Sequence, residues 1–384
     1  MSVKLSPRFV FNQTKNTTFF LQRRNRVKTK WAGTRPKLPS TALALQHFDA
    51  VYGPQLGDLW PSVRIGLLCE KKYGALINNF ASNADLISAF HSQGCRDFIS
   101  SRHSHQTPLE GPPPEPELLH QTPAPLSSRI QCFVFPRGDI SRFKPARPDS
   151  ERLLTYYLLD AASVLPVLAL DVQPGQSVLD LCAGPGGKTL ALLQTQAVRF
   201  LWANDLSGSR TARLRRTLQS YVPKELLTED RVLITSLDGR QWTDNYKHEF
   251  DKVLVDVPCT TDRHSVMEED NNIFKRSRTK ERQMLPSLQT ELLLAGIKAT
   301  RPGGDVLYST CSLSQLQNQC VVDRAVSEAQ QMDITVKVQD LSGFVQLFSD
   351  TFHFAPRPPV GELVLPHLCE NFGPIYMCKL TRMN

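Results

Sequence analysis

The second half of this chain alternates short apolar segments with helix-forming stretches, and this pattern restricts it to one fold class. Helical stretches at 187–195, 207–221 and 280–300 lie between the segments. Strands that alternate with helices of this length form βαβ units around a parallel sheet. We therefore predict an α/β, Rossmann-like, doubly wound and mostly parallel sheet. Its strands are SVLDLC (177–182), FLWAN (200–204), RVLITS (231–236), KVLVDV (252–257) and DVLYST (305–310), with ELVLP and IYMCKL as an antiparallel edge.

Two regions of different composition precede this pattern. Residues 38–103 have helix-like periodicity, which predicts a small, mainly helical N-terminal region. Residues 104–128 contain seven prolines and are predicted to be a linker or exposed loop, because proline interrupts both helices and sheets. The α/β domain is assigned to 129–384, where an apolar helix is expected from Tyr156 onward.

The first 37 residues form a basic leader. Ten of the 45 Lys and Arg residues, and none of the 37 Asp and Glu residues, lie within 1–48, so the remainder of the chain is close to neutral. An acid-free, Arg-containing amphipathic start is typical of a mitochondrial transit peptide and predicts the mitochondrial matrix. A basic arm that touches RNA directly is the alternative. No run of 18 apolar residues occurs, so no membrane span is expected.

The nine cysteines follow neither of the patterns that bind metal or form disulfide frameworks. None of them forms a C-x-x-C pair, and their number is odd. We therefore expect no metal site and a reducing compartment in which thiols are available for chemistry.

A glycine-rich turn, Asp180-Leu-Cys-Ala-Gly-Pro-Gly-Gly-Lys-Thr189, follows the first strand and opens a helix. In an open parallel sheet, ligands bind at the carboxyl ends of the strands, where glycines let backbone N–H groups approach. A P-loop would need glycine at Cys182, and a dinucleotide fingerprint would need a third glycine at Thr189. A purely structural turn is the remaining alternative. Cys182 itself is interpreted as a packing residue.

Acidic residues follow the next two strands. Asp205 ends the second strand, where it could accept from ribose hydroxyls, and Asp238-Gly239 follows the third, where Asp238 could accept from an adenine amino group. Asp-Gly alone is an ordinary turn signal. Together with the glycine turn, however, these acids indicate an S-adenosylmethionine site.

Two cysteines follow two neighbouring strands. The fourth strand ends in Asp256-Val-Pro-Cys259 and the fifth in Ser309-Thr-Cys311-Ser. Carbon 5 of cytosine becomes nucleophilic only after a thiolate adds at carbon 6, which is covalent catalysis. Asp256 could hydrogen-bond the ring nitrogen if burial kept it protonated. A buried cysteine is more often inert core, but two at adjacent strand ends predict cytosine chemistry.

These motifs, in the order AGPGGKT, AND, DGR, DVPC and STCS, resemble the Sun-domain RNA cytosine-5 methyltransferases over roughly residues 130–382. The resemblance implies a class I methyltransferase with Cys311 as nucleophile and Cys259 assisting release of the methylated RNA. It implies that Lys188 also faces the target base. It further implies cofactor contacts from Gly184, Gly186, Gly187, Lys188, Asp205, Arg210, Asp238, Gly239 and Asp256.

One departure from the family pattern is Thr260-Thr-Asp-Arg-His, where the family usually has Ser-Gly after the cysteine. This variant, the basic leader and GDLWPS at 57–62 resemble the mitochondrial ribosomal-RNA branch of the family. That likeness implies small-subunit ribosomal RNA as substrate, a role in ribosome assembly, and a partner of the mitochondrial transcription termination factor family that supplies RNA affinity. Local basic patches that could contact RNA, or be merely solvated, are 275–282 and 137–147.

Two other functions stay open at this point. A DNA cytosine-5 methyltransferase would use Cys259 as its nucleophile, and a non-catalytic assembly factor would bind RNA while keeping the fold.

Overall fold

The computed structural model describes residues 38–100, 129–242, 250–356 and 358–384. Within these ranges the helices are α1 (Ser40–Leu56), α2 (Trp60–Leu68), α3 (Ala84–Ser92), α4 (Leu165–Leu170), α5 (Gly187–Gln194), α6 (Gly208–Tyr221), α7 (Asp262–Met267), α8 (Thr279–Ala299), α9 (Gln319–Gln330) and α10 (Ser342–Gln346). The strands are β1 (Gly74–Ile77), β2 (Arg96–Asp97), β3 (Cys132–Val134), β4 (Tyr156–Leu159), β5 (Gln176–Asp180), β6 (Val198–Asn204), β7 (Val232–Thr235), β8 (Phe250–Asp256), β9 (Thr300–Thr310), β10 (Val336–Val338), β11 (Glu362–Val364) and β12 (Ile375–Arg382).

The larger sheet has the strand order β10-β12-β9-β8-β5-β6-β7, with β11 paired to β12. Strands β5 to β9 are mutually parallel. Strand β12 is antiparallel to β9 and to β10. The predicted α/β fold is therefore confirmed, and all five predicted parallel strands are present. The antiparallel end is wider than expected, because β12 lies between β9 and the short edge strand β10.

A second, antiparallel sheet joins the N-terminal region to the chain that follows the proline-rich segment. Its order is β2-β3-β1-β4. The N-terminal region does contain the predicted helices, but β1 and β2 add strands to it. The prediction of a helix from Tyr156 onward was wrong for its first residues. Tyr156–Leu159 forms strand β4, and α4 begins at Leu165. A short buried apolar run does not by itself distinguish a strand from a helix.

Both faces of the larger sheet are covered, and period-two alternation assigns each strand residue to one face. Val178, Leu201 and Leu254 pack with α4, α5 and α6. Their neighbours Leu179 and Trp202 pack on the opposite face with α1, α2, α8 and α9. Helix α1 of the N-terminal region thus contributes to the core of the catalytic sheet.

The predicted boundaries of the regions stay predictions. The leader 1–37 and the proline-rich stretch 104–128 lie outside the described residues. Among the residues that are described, no helix is long and apolar enough to cross a membrane.

Candidate active site

The carboxyl ends of five parallel strands meet along one edge of the larger sheet. The pairing aligns Asp180 with Leu254 and Asp256 with Ser309. It also aligns Asn204 with Thr235. The side chains predicted to bind cofactor or to act on a base therefore belong to loops at the same edge.

The glycine turn requires glycine at two of its positions. Gly186 has φ of 114°, and a Cβ there would lie 2.9 Å from Leu214 Cδ1. A Cβ on Gly184 would lie 2.7 Å from Asp205 Oδ2. Side chains at these two positions would clash with their neighbours, so the turn needs glycine there. The turn thereby places the backbone N–H groups at the start of α5 where they can approach a ligand.

Asp205 connects the glycine turn to α6. Its Oδ2 accepts from the Gly184 backbone N–H at 3.0 Å, and its Oδ1 accepts from Ser207 N–H at 2.9 Å. Arg210 forms an ion pair with Asp205 at 3.2 Å and also donates to the Gly184 carbonyl. Three predicted cofactor residues, Gly184, Asp205 and Arg210, are thus in direct contact.

Asp238 and Gly239 occupy the loop after β7. Asp238 caps a short 3₁₀ turn and pairs with Arg240 at 2.6 Å, which lowers the pKa of its carboxyl. A Cβ on Gly239 would lie 3.1 Å from Leu181 Cγ, so the glycine permits close packing as predicted. Sequence reasoning missed Asn204, which is buried and accepts from Leu237 N–H at 2.9 Å, thereby holding this loop.

Asp180, at the end of β5, has an unused acceptor. Its Oδ2 accepts from Thr189 Oγ1 at 2.7 Å, whereas its buried Oδ1 has no hydrogen-bond partner within the described ranges. Burial raises the pKa of Asp180 to about 7. An acceptor of this kind beside a glycine cradle fits the polar end of S-adenosylmethionine, because a buried acceptor without a partner is costly.

The two predicted catalytic cysteines lie together. Cys259 Sγ and Cys311 Sγ are 3.2 Å apart, within hydrogen-bond distance for thiols. This hydrogen bond lowers the pKa of Cys259 and, with burial, raises the pKa of Cys311 well above its usual value. Because the two sulfurs share this hydrogen bond, the two thiols titrate as a coupled pair. Cys182 has its pKa raised well above normal by burial, which agrees with a packing role.

Lys188 and Asp256 form the polar wall next to this pair. Lys188 Nζ donates to Asp256 Oδ2 at 2.8 Å, and Ser309 Oγ donates to Oδ1 at 2.7 Å. Burial by itself lowers the pKa of Lys188, but Asp256 outweighs it and the net shift is upward. The Asp256 side chain is 30% exposed, and both of its oxygens accept hydrogen bonds.

A cavity of about 520 Å³ opens beside Cys311. Lys71 and Tyr73, Arg263 of α7 and Gly373 are among the residues that line it. Its volume is within the range of small-ligand sites, so a nucleotide has room to reach the sulfur. In the described parts of the chain, no cluster of His, Cys, Asp or Glu is suited to hold a metal ion.

Sequence reasoning also missed Asp262, which is fully buried behind the two cysteines. Its carboxylate accepts from Tyr52 OH at 2.9 Å and from Leu313 N–H at 2.7 Å. Burial raises its pKa to about 6. The departure Thr260-Thr-Asp from the family pattern was the available signal, because it places an acid three residues after a cysteine.

Comparisons with known proteins identify the family and the fold. A family model described as 16S rRNA methyltransferase RsmB/F matches residues 167–363. The chain is 56% identical over 368 residues to a Bos taurus protein named 5-cytosine rRNA methyltransferase NSUN4, covering 94% of each. It is 37% identical over 360 residues to a Mus musculus protein named mitochondrial tRNA (cytosine(34)-C(5))-methyltransferase, covering 93% of this chain and 95% of the relative. A crystallised methyltransferase homologue from Pyrococcus horikoshii has the same fold, with a TM-score of 0.57 at 20% identity, covering 91% of this chain and 100% of that one.

Proposed function

Because this chain belongs to the RsmB/F family of 16S rRNA methyltransferases, we propose that it methylates carbon 5 of a cytosine in mitochondrial small-subunit ribosomal RNA. Its class is S-adenosylmethionine-dependent RNA cytosine-5 methyltransferase. The observation that carries the proposal is the 3.2 Å approach of Cys259 and Cys311 beside a glycine cradle for the cofactor. Similarity to a relative named mitochondrial, together with the basic leader, supports mitochondria. The matrix is the compartment we propose.

In the proposed reaction Cys311 is the nucleophile. Its sulfur adds to carbon 6 of cytosine, and its proton passes to the Cys259 sulfur 3.2 Å away. Lys188 donates to the ring nitrogen and stabilises the charge that develops there, while Asp256 holds Lys188 in place. Bound S-adenosylmethionine supplies the methyl group to carbon 5. Cys259 releases the proton it accepted to solvent, and its thiolate then takes the proton from carbon 5. The electron pair of that C–H bond restores the carbon 5–carbon 6 double bond as the Cys311 sulfur leaves as a thiolate, and we assign Cys259 to this release step.

The cofactor side of the site is proposed from the same contacts. Backbone N–H groups at the start of α5 bind the cofactor's polar end, and Asp180 offers its free acceptor. Asp205 would accept from the ribose hydroxyls, and Asp238 would accept from the adenine amino group. The full proposed set is Gly184, Gly186, Gly187, Lys188, Asp205, Arg210, Asp238, Gly239 and Asp256.

RNA binding is proposed to use basic residues that are not held in internal ion pairs. Several cations of the two predicted patches are engaged: Arg278 pairs with Glu281 and Arg142 pairs with Glu70. Helix α6 instead exposes Arg213 and Arg216 close to the glycine turn, and the whole helix lacks acidic residues. Cations of this kind bind phosphates without reading sequence.

A near-neutral body supports a partner that supplies further RNA affinity. We propose a protein of the mitochondrial transcription termination factor family, as a heterodimer that acts in ribosome assembly. Size-exclusion chromatography of the two purified proteins tests this, with co-elution at micromolar concentration expected and separate peaks contradicting it.

The activity is tested by methyl transfer from labelled S-adenosylmethionine to small-subunit ribosomal RNA, with a ribosomal RNA lacking the methylated cytosine as control. We expect label on one cytosine of the first RNA only. Binding of both RNAs without methyl transfer would favour the non-catalytic assembly factor, and label on duplex DNA would favour the DNA enzyme.

A further inference from the structure

Asp262 is bonded to both loops that carry the cysteines. It lies three residues after Cys259, at the first position of α7, and its backbone N–H donates to the Cys311 carbonyl at 3.2 Å. Its side chain accepts from Leu313 N–H at 2.7 Å. The preceding residue, Thr261, has φ of 47°, so the chain turns sharply between the cysteine and the acid.

Buried hydroxyl and amide groups extend this bridge. Thr260 Oγ1 and Ser312 Oγ both donate to Asp262 Oδ1, and they lie 2.8 Å from each other. Gln317 accepts from Thr260 N–H at 3.0 Å and donates to Thr260 Oγ1 at 3.0 Å. Thr260 directly follows one cysteine and Ser312 directly follows the other, so this network sets how far apart the two loops lie.

Helix α1, which precedes the catalytic domain in sequence, supports the same network. Tyr52 OH donates to Asp262 at 2.9 Å, and Gln55 Nε2 donates to the Leu313 carbonyl at 2.6 Å. These residues are three apart and share one face of the helix. At the other end of α1, Glu269 accepts from the backbone N–H groups of Ser40 and Thr41. Helix α1 is therefore anchored at both ends to the segment that follows Cys259.

We propose that Asp262 is a positioning residue that sets the separation of the Cys259 and Cys311 sulfurs, and that Tyr52 of α1 belongs to this support. The inference rests on the proposed two-cysteine reaction. A sulfur displaced by about 1 Å loses its approach to carbon 6, and such displacements cost about 100-fold in rate. The N-terminal region thus supports the catalytic pair through Asp262, besides lining the cavity beside Cys311 with Lys71 and Tyr73.

Three variants of the full chain test this. Asp262→Ala removes the bridge and is expected to lower kcat about 100-fold without changing the affinity for S-adenosylmethionine. Tyr52→Phe keeps the ring packing and removes one hydrogen bond, so a loss of about 10-fold is expected. Asp262→Asn keeps activity within about threefold, because its amide oxygen accepts from Tyr52 and Leu313 while its NH₂ donates to the hydroxyls. Tyr156→Phe is the control, a buried phenol bonded to the Lys144 carbonyl away from the cysteines.

A second measurement needs no RNA. Alkylation of Cys259 and Cys311 by iodoacetamide is followed against pH by peptide mass spectrometry. In the wild type and in Asp262→Asn the two thiols should titrate as a coupled pair, whereas in Asp262→Ala and Tyr52→Phe they should approach ordinary, independent cysteines. If Asp262→Ala does not fold, Tyr52→Phe carries the test.

The proposal is overturned if either Asp262→Ala or Tyr52→Phe has a kcat within twofold of wild type and thiols that still titrate as a coupled pair. It is also overturned if Asp262→Asn is as inactive as Asp262→Ala. If the wild-type thiols titrate as a coupled pair but the protein methylates no ribosomal RNA, the proposed function is refuted. The positioning role of Asp262 is then unaffected.

Discussion

Replacing Asp262 with asparagine should make the stability of the protein less dependent on pH. Asp262 is fully buried, and burial raises its pKa from 3.8 to about 6. Well below pH 3.8 the carboxyl is protonated in the folded and unfolded chains alike, so its contribution is then fully present. Between pH 3.8 and about 6 the unfolded chain ionises while the folded chain keeps its proton, so stability falls with pH and levels off once the buried carboxyl ionises too. A shift of about two pKa units corresponds to a loss of about 3 kcal/mol by pH 7.5.

The amide side chain of the Asp262→Asn variant cannot ionise, so the variant has no such loss. Urea unfolding of wild type and variant at pH 4, 5, 6, 7 and 8 gives the free energy of unfolding of each. The difference between the two proteins isolates Asp262, because every other carboxyl titrates in both. We expect the variant to gain about 2.5 kcal/mol relative to wild type between pH 4 and pH 7.5. A difference that does not change with pH would refute the argument that Asp262 is a buried, ionising group.

Further predictions concern the cofactor cradle, the polar wall and the RNA surface. Gly184→Ala should weaken S-adenosylmethionine binding at least about 10-fold by calorimetry, since its Cβ would meet Asp205 at 2.7 Å. Gly208→Ala, which has open space around its Cβ, is the control. Equal affinities of the two variants for S-adenosylmethionine would contradict the proposed glycine cradle. Lys188→Met should lower kcat about 100-fold in methyl-transfer assays while Lys188→Arg retains more, and an unaffected kcat would remove Lys188 from the reaction. Arg213→Ala with Arg216→Ala should weaken RNA binding and reduce the salt slope by about one per lost phosphate contact, whereas an unchanged slope would exclude this surface.

The order of strands and loops was predictable because it depends on local patterns. Apolar runs with helices between them determine a parallel sheet, and the residues after each strand then lie at one edge. The strand pairings of β1 and β2 were not predictable, because their partners follow the proline-rich segment and the runs are too short to show a period.

The candidate site divides in the same way. Cys259 and Cys311 could be brought together from their positions after neighbouring strands. The contact between Tyr52 and Asp262 could not be predicted from the sequence. Tyr52 lies in a helix some 200 residues earlier, and the apolar spacing of that helix indicates only core packing. The exposure of Asp256 could not be predicted, because it depends on packing around the strand end, which the sequence pattern does not specify.

The central claim is that Cys311 attacks the base and Cys259 assists release. Its most direct test compares methyl transfer and covalent RNA–protein adducts for wild type, Cys311→Ala and Cys259→Ala with small-subunit ribosomal RNA. The account predicts that Cys311→Ala is inactive without an adduct and that Cys259→Ala accumulates one. If Cys311→Ala accumulates the adduct and Cys259→Ala forms none, Cys259 is the nucleophile and the assignment is contradicted.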